Sequence, residues 1–100
     1  MGRTDIDIIN SCLEGDNSAF EELVTRYKSL VFNTSYRMLG SYEEAEDASQ
    51  EVFVKIFKSL RRYDPQYKFS TWAVKITTNY CLDILRKRKG ETVSLEEQFD

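Results

Sequence analysis

Histidine is absent from this chain of 100 residues, and proline and tryptophan each occur once. Without histidine, the sequence lacks the commonest general base of enzymes and the usual nitrogen ligand of zinc sites. Its two cysteines, Cys12 and Cys81, lie far apart and form no Cys-x-x-Cys pair, so we expect reduced thiols in a cytosolic protein. Because the sequence offers no pair of nucleophile and general base and no set of metal ligands, we expect that the protein is not an enzyme and binds no cofactor.

Long apolar stretches are also missing. No run of about 18 apolar residues and no signal-peptide core are found, and the start MGRTDI lacks the serine or threonine of a myristoylation site. We therefore expect no direct membrane insertion and a cytoplasmic location.

The scarcity of turn-forming residues favours helices. With one proline and four glycines, and with no stretch that alternates between apolar and polar residues, the sequence predicts no sustained strand. We predict an all-α fold, an antiparallel bundle of about four helices. Local capping patterns predict the helix ends, and Asp64-Pro65 forces a turn that ends the third helix near Tyr63. The predicted caps and stops, in chain order, are Thr4, Gly15, Ser18 (with Glu21), Gly40, Ser41 (with Glu44), Ser70 or Thr71, and Gly90 after Lys89.

Charge is distributed unevenly along the chain. Residues 1–60 carry 6 basic and 11 acidic side chains, residues 61–90 carry 8 basic and 2 acidic ones, and the last ten residues add 4 acids. An acidic part joined to a basic part predicts two surfaces with different partners, the basic one suited to nucleic acid.

The third predicted helix has a polar face that its core stripe does not explain. Asp47, Gln50 and Glu51 follow the i, i+3, i+4 spacing and form one patch, and Val54 lies among them, with Lys58 further along. Two carboxylates and an amide around a valine suit a protein partner rich in arginine and lysine. The alternatives are a solvated helix surface and, less favoured, a metal site, because hard cations usually take ligands from a turning loop.

The fourth predicted helix and the loop before it carry aromatic and cationic groups. Lys75, Asn79 and Arg86 share one helix face, and the helix ends in four cations at residues 86–89. Phosphate binding explains them better than capping of the helix dipole alone. Aromatic rings beside cations are also what single-stranded nucleic acid requires. The aromatic residues on or beside the loop are Tyr63, Tyr67, Phe69 and Trp72. The alternative for Phe69 and Trp72 is that they seal the core. This alternative is weaker for Tyr63 and Tyr67, because tyrosine is stable when half exposed. We expect Phe69 and Trp72 to hold the loop in shape, and Tyr63, Tyr67 and Lys68 to contact the nucleic acid.

Three segments resemble the consecutive regions, 2.1 to 2.4, of domain 2 of bacterial sigma factors of the extracytoplasmic-function (ECF) type. They are AFEELVTRYKSLVFNTSYRMLG, EEAEDASQEVFVKIFKSL and YDPQYKFSTWAVKITTNYCLDILRKRKG, and the resemblance covers roughly residues 17–90. EDASQEVF and FSTW are the most distinctive pieces. The resemblance implies residues 1–90 as domain 2 and residues 91–100 as the start of an interdomain linker or tail.

The resemblance also implies partners for the two surfaces. In this family the second long helix docks on the β′ clamp coiled coil of core RNA polymerase. The residues that this implies for polymerase binding here are Asp47, Gln50, Glu51, Val54 and Lys58. The loop before the last helix captures a base flipped out of the promoter −10 element, largely on the non-template single strand. The residues assigned to DNA are Arg61, Arg62, Tyr63, Asp64, Tyr67, Lys68, Phe69, Ser70, Trp72, Lys75, Asn79, Arg86, Lys87 and Arg88. An anti-sigma factor that covers these surfaces is a further expected partner.

The sequence departs from the family pattern in two places. Primary sigma factors carry adjacent tryptophans as a melting wedge, whereas Trp72 stands alone, which implies weaker melting and more stringent promoters. Domain 4, which reads the −35 element, does not follow within these residues, so we expect an isolated domain 2 or a truncated chain. The rival interpretation is a helical adaptor whose two faces bind only proteins.

Overall fold

The helix-favouring sequence folds, in the computed structural model, into four α-helices and one short 3-10 helix. The structure describes the backbone of residues 3–99 and the side chains of residues 3–89. The elements are α1 (Asp5–Leu13), α2 (Asn17–Leu39), α3 (Tyr42–Ser59), the 3-10 helix Leu60–Arg62 and α4 (Phe69–Phe99). No strand occurs within these bounds, and the predicted all-α bundle is confirmed. None of the helices in the described part is long and apolar enough to cross a membrane.

Side-chain caps begin two of the helices where the sequence predicts. Before α1, the Thr4 hydroxyl accepts from the Asp7 amide at 3.1 Å, and the Asp7 carboxylate accepts from the Thr4 amide at 3.3 Å. Before α3, the Ser41 hydroxyl accepts from the Glu44 amide at 3.3 Å. Gly40 ends α2 with φ 76°, a left-handed conformation that favours glycine.

Other predicted helix ends are wrong. Asp16, not Ser18, caps α2: its carboxylate accepts from the amides of Ser18 at 3.0 Å and Ala19 at 3.3 Å. An ionised carboxylate at a helix start also gains from the helix dipole, so it outcompetes the serine two residues later.

The fourth helix is longer at both ends than predicted. It begins at Phe69, and the Trp72 amide already donates to the Lys68 carbonyl at 3.2 Å, so Ser70 and Thr71 lie inside the first turn. It also passes through Gly90 to Phe99. A glycine inside a helix costs only about 1 kcal/mol, which does not by itself end one.

The core forms around α2, which packs against α1, α3 and α4. Apolar side chains at helical spacing meet there and leave water, which is the main stabilising contribution to the fold. The fully buried members of this core include Ile8, Leu23, Val31, Val52, Ile56 and Ala73. A smaller cluster of Leu39, Ala48 and Cys81 lies apart from the main one. Burial raises the pKa of the Cys81 thiol and keeps it protonated.

Polar contacts fix α1 against α2. The Asp5 carboxylate accepts from Arg26 at 2.9 Å and from the Tyr27 hydroxyl, and Arg3 pairs with Glu22 at 2.9 Å. Burial and then the Asp5 hydrogen bond raise the pKa of Tyr27 to about 12. These contacts hold Asp5 beside the loop that precedes α4.

Candidate nucleic-acid interface and docking face

The loop between the 3-10 helix and α4, residues 63–68, is an ordered turn. The Asp64 carboxylate accepts from the Gln66 amide at 2.9 Å, and the Asp64 carbonyl accepts from the Tyr67 amide at 3.0 Å. The Tyr63 hydroxyl donates to the Tyr67 carbonyl. Asp64 therefore shapes the loop by backbone contacts, as an Asx turn does.

The four aromatic residues of this region separate into buried and exposed ones. Phe69 is 2% exposed and Tyr63 is 8% exposed, with their ring centroids 5.4 Å apart in an edge-to-face arrangement. Trp72 is half-buried, and its ring centroid lies 5.3 Å from that of Tyr63. Tyr67 is 63% exposed. Phe69, Trp72 and Tyr63 therefore pack together beside the loop, whereas Tyr67 presents its ring to solvent.

The buried position of Tyr63 has a packing cause. The ring of Tyr27 on α2 is tilted against that of Phe69, with the two centroids 4.9 Å apart, and Phe69 and Trp72 pack against Tyr63. Burial, followed by the nearby Asp5 carboxylate, raises the pKa of Tyr63. Tyr63 is therefore placed to support the loop rather than to present its ring.

Tyr67 lines two cavities. The first, here called the loop pocket, has a volume of about 330 Å³ and lies between α1, α2 and the loop. The second, here called the Trp72 pocket, has about 460 Å³ and lies against the first turns of α4. Residues of the loop pocket include Asp5, Tyr27, Tyr63, Tyr67, Phe69 and Ser70. Those of the Trp72 pocket are Arg62, Asp64, Tyr67, Thr71, Trp72 and Lys75.

Cations continue from these pockets along α4. Lys75, Asn79 and Lys87 are exposed, as are Arg61, Arg62 and Lys68 near the loop. Arg86 pairs with Asp83 at 3.1 Å, with both side chains mostly exposed, and Arg88 pairs with Glu44 at the start of α3. Exposed pairs of this kind contribute at most about 1 kcal/mol, so they hold these cations only weakly.

On α3, the predicted docking residues share an exposed face. Asp47, Gln50, Glu51 and Lys58 are exposed, and the apolar Val54 is 43% exposed. Phe57 extends this apolar surface: it is 52% exposed and meets Phe20 of α2 edge to face at 5.0 Å. Val54 and Phe57 together form an apolar centre with a charged rim, which is typical of protein interfaces.

A groove between α2 and α3 adds residues that sequence reasoning missed. It has a volume of about 470 Å³ and brings Lys28 and Phe32 of α2 beside Glu46 and Gln50 of α3. Phe32 also contacts Tyr42 at 5.1 Å. The sequence gives little indication of this groove, because Lys28 and Phe32 fit the pattern of an ordinary amphipathic helix. Within residues 3–89, no group of three acidic, cysteine or histidine side chains is placed to hold a metal ion.

The comparison with protein families decides the identity of this bundle. The model of sigma-70 region 2 matches residues 23–91, which includes most of α2, all of α3 and the loop, and most of α4. The chain belongs to the sigma-70 region 2 family. The predicted family, domain 2 of a bacterial sigma factor, is thereby confirmed.

Relatives of this region 2 carry ECF names. The chain is 41% identical over 83 residues to the ECF RNA polymerase sigma factor SigW of Bacillus subtilis, covering 83% of this chain and 44% of SigW. It is 37% identical over 90 residues to the ECF RNA polymerase sigma factor SigE of Mycolicibacterium smegmatis, covering 86% of this chain and 35% of SigE. The chain therefore spans less than half the length of these relatives.

A solved region 2 has the same fold. An engineered region 2 of sigmaE, determined by NMR in complex with GTAAAA, superposes with a TM-score of 0.81. The two chains are 31% identical, and the match covers 91% of this chain and 97% of the other. Every residue that the sequence assigned to polymerase or DNA lies within the region 2 match, whereas α1 lies outside it.

Proposed function

We propose that this chain is the part of an ECF sigma factor that binds core RNA polymerase and recognises the promoter −10 element in the cytoplasm. The observation that carries the proposal is the presence of two different surfaces on one rigid bundle. One surface is the acidic face of α3 with Val54 at its centre, and the other is the loop with its two cavities and the cationic face of α4.

The loop and α4 suit a single strand whose bases are unstacked. The exposed ring of Tyr67 offers a stacking surface beside two concave sites, and Arg62, Lys68 and Lys75 supply positive charge for the backbone. Flipping a base costs a few kcal/mol, and stacking on aromatic side chains returns about 1–3 kcal/mol per base. The complex of the sigmaE relative with GTAAAA supports a nucleic-acid ligand for this fold.

The face of α3 and the adjoining groove suit the β′ clamp coiled coil. A helix of the polymerase would place apolar side chains on Val54 and Phe57, while its cations meet Asp47 and Glu51. The groove beside Gln50 would receive a further side chain of the same partner. An anti-sigma factor that covers either surface would block initiation, and we propose such an inhibitor as a third partner.

DNA binding is tested with labelled single strands and duplexes of a randomised pool. We expect single strands to bind more tightly than duplexes and the logarithm of the affinity to fall with the logarithm of salt concentration, by about 0.7 for each neutralised phosphate. Sequencing the bound strands then identifies the preferred −10 sequence. A protein-only adaptor would bind neither form and would yield no enriched sequence.

Polymerase binding is tested by capture of core RNA polymerase on the immobilised chain. The double substitution Asp47→Lys with Glu51→Lys should abolish capture without loss of helicity, because it places two cations where the partner presents its own. A matched control reverses two exposed acids elsewhere, Glu14→Lys with Glu21→Lys, and should leave capture intact. Undiminished capture by the first variant would refute the docking assignment.

A further inference from the structure

We propose that the Trp72 pocket holds a second extruded base, next to the base held in the loop pocket. The inference rests on the proposed function, because it assumes that a single DNA strand passes over the loop. It adds one element to that function: two consecutive bases leave the stack and are divided by the ring of Tyr67.

The position of Tyr67 carries this inference. Its side chain lines both cavities and is 63% exposed, while its backbone is held on both sides of the Cα. The amide donates to the Asp64 carbonyl at 3.0 Å, and the carbonyl accepts from the Tyr63 hydroxyl. A ring on so fixed a backbone can separate two bases and offer each of them one face.

The Trp72 pocket has the parts that a stacked base requires. Contacts to Tyr63 at 5.3 Å and to Phe69 at 5.6 Å fix the half-buried Trp72 ring, which also lines the cavity. The exposed cations of Arg62 and Lys75 lie at the same cavity and suit the flanking phosphates. Its volume, about 460 Å³, falls within the range of small-molecule sites.

The side chains that line the two pockets differ, so each pocket would favour a different base. The lining of the loop pocket includes the acidic Asp5, the hydroxyl-bearing Tyr27 and Ser70, and one cation, Lys68. The Trp72 pocket combines Arg62 and Lys75 with one carboxylate, that of Asp64. Two neighbouring bases would therefore meet different hydrogen-bonding groups and would not be interchangeable.

The single tryptophan of the chain provides the test. The probe is the tightest single strand from the selection described above, together with derivatives that each lack one base. We expect binding of the intact strand to change the Trp72 emission, and removal of one particular base to abolish that change. Loss of that base should weaken binding about 5- to 150-fold, and loss of its neighbour should weaken binding similarly while the emission change persists.

Adjacent substitutions fill the pockets one at a time. Thr71→Tyr narrows the Trp72 pocket and Ser70→Tyr narrows the loop pocket. In the Thr71→Tyr variant, removal of the emission-linked base should not lower the affinity further, whereas removal of its neighbour should still lower it. In the Ser70→Tyr variant, removal of the neighbour should not lower the affinity further, whereas removal of the emission-linked base should.

Two results would overturn the inference while leaving −10 recognition standing. One is that the strand binds but no removal of a single base abolishes a change in Trp72 emission. The other is that both variants cancel the contribution of the same base, which would mean a single pocket. If the selection yields no binding strand, the proposed function itself fails, and that outcome is separate from the other two.

Discussion

Exchanging Tyr63 for phenylalanine should destabilise the fold, whereas exchanging Tyr67 for alanine should weaken DNA binding. Tyr63 is 8% exposed, and its hydroxyl donates to the Tyr67 carbonyl. Tyr63→Phe removes that hydrogen bond, whose net contribution is about 0.5–1.5 kcal/mol. In a domain of this size, a loss of about 1 kcal/mol lowers the melting temperature by about 4–8 °C.

The Tyr67 side chain contributes little to the fold. It is 63% exposed and makes no ring contact with another aromatic residue among those that the structure describes. Tyr67→Ala should change the free energy of unfolding by less than about 0.5 kcal/mol. Loss of its stacking surface should lower single-strand affinity about 5- to 150-fold.

Two assays separate these effects. Thermal unfolding, followed by circular dichroism, measures stability, and fluorescence anisotropy with a labelled single strand measures affinity at constant salt. Tyr42→Ala is the matched control, because Tyr42 is also 63% exposed but lies in the groove between α2 and α3. It should leave DNA affinity unchanged. If Tyr63→Phe reduces affinity more than Tyr67→Ala does, with no change in melting temperature, the loop must open on binding and the assignment of Tyr67 is wrong.

Three further predictions concern the last helix, the first helix cap and the half-buried phenol of Tyr27. Asn79→Ala should alter the preferred −10 sequence in the selection, whereas Lys87→Ala should weaken binding to all sequences alike and make the salt dependence shallower; if Asn79→Ala unfolds the chain, that residue is structural. Thr4→Ala should lower the free energy of unfolding by about 0.5–2 kcal/mol in a denaturant titration, because it removes the α1 cap, and an unchanged midpoint would contradict that role. The pKa of Tyr27 is raised in the folded state to about 12, so its contribution to stability is present below pH 10 and is lost as the pH rises towards 12. Tyr27→Phe should flatten that part of the stability–pH curve, and an identical curve for both proteins would refute it.

Local patterns were sufficient for most of the architecture. Thr4, Ser41 and Gly40 mark helix ends because each satisfies backbone groups within its own turn. Asp64-Pro65 likewise predicted the turn before α4. The errors arose where two local solutions compete, as at Asp16 and Ser18, or where a weak signal was overridden, as at Gly90.

The candidate site was predictable in part for the same reason. The face of α3 and the cations of α4 follow from helical periodicity, which depends only on spacing along the chain. The groove beside Phe32 was not predictable, because it exists only where α2 and α3 meet.

The helical class, the turn at Pro65, the two charged surfaces and the resemblance to a sigma factor domain all follow from local sequence patterns. Which tyrosine of the loop is exposed depends on tertiary packing. Tyr27 and Phe69 meet across distant parts of the chain, and Phe69 packs against Tyr63, whereas the exposed Tyr67 lines two cavities. Two side chains of one type, four residues apart, carry no local signal that distinguishes them, so their roles depend on packing against α2.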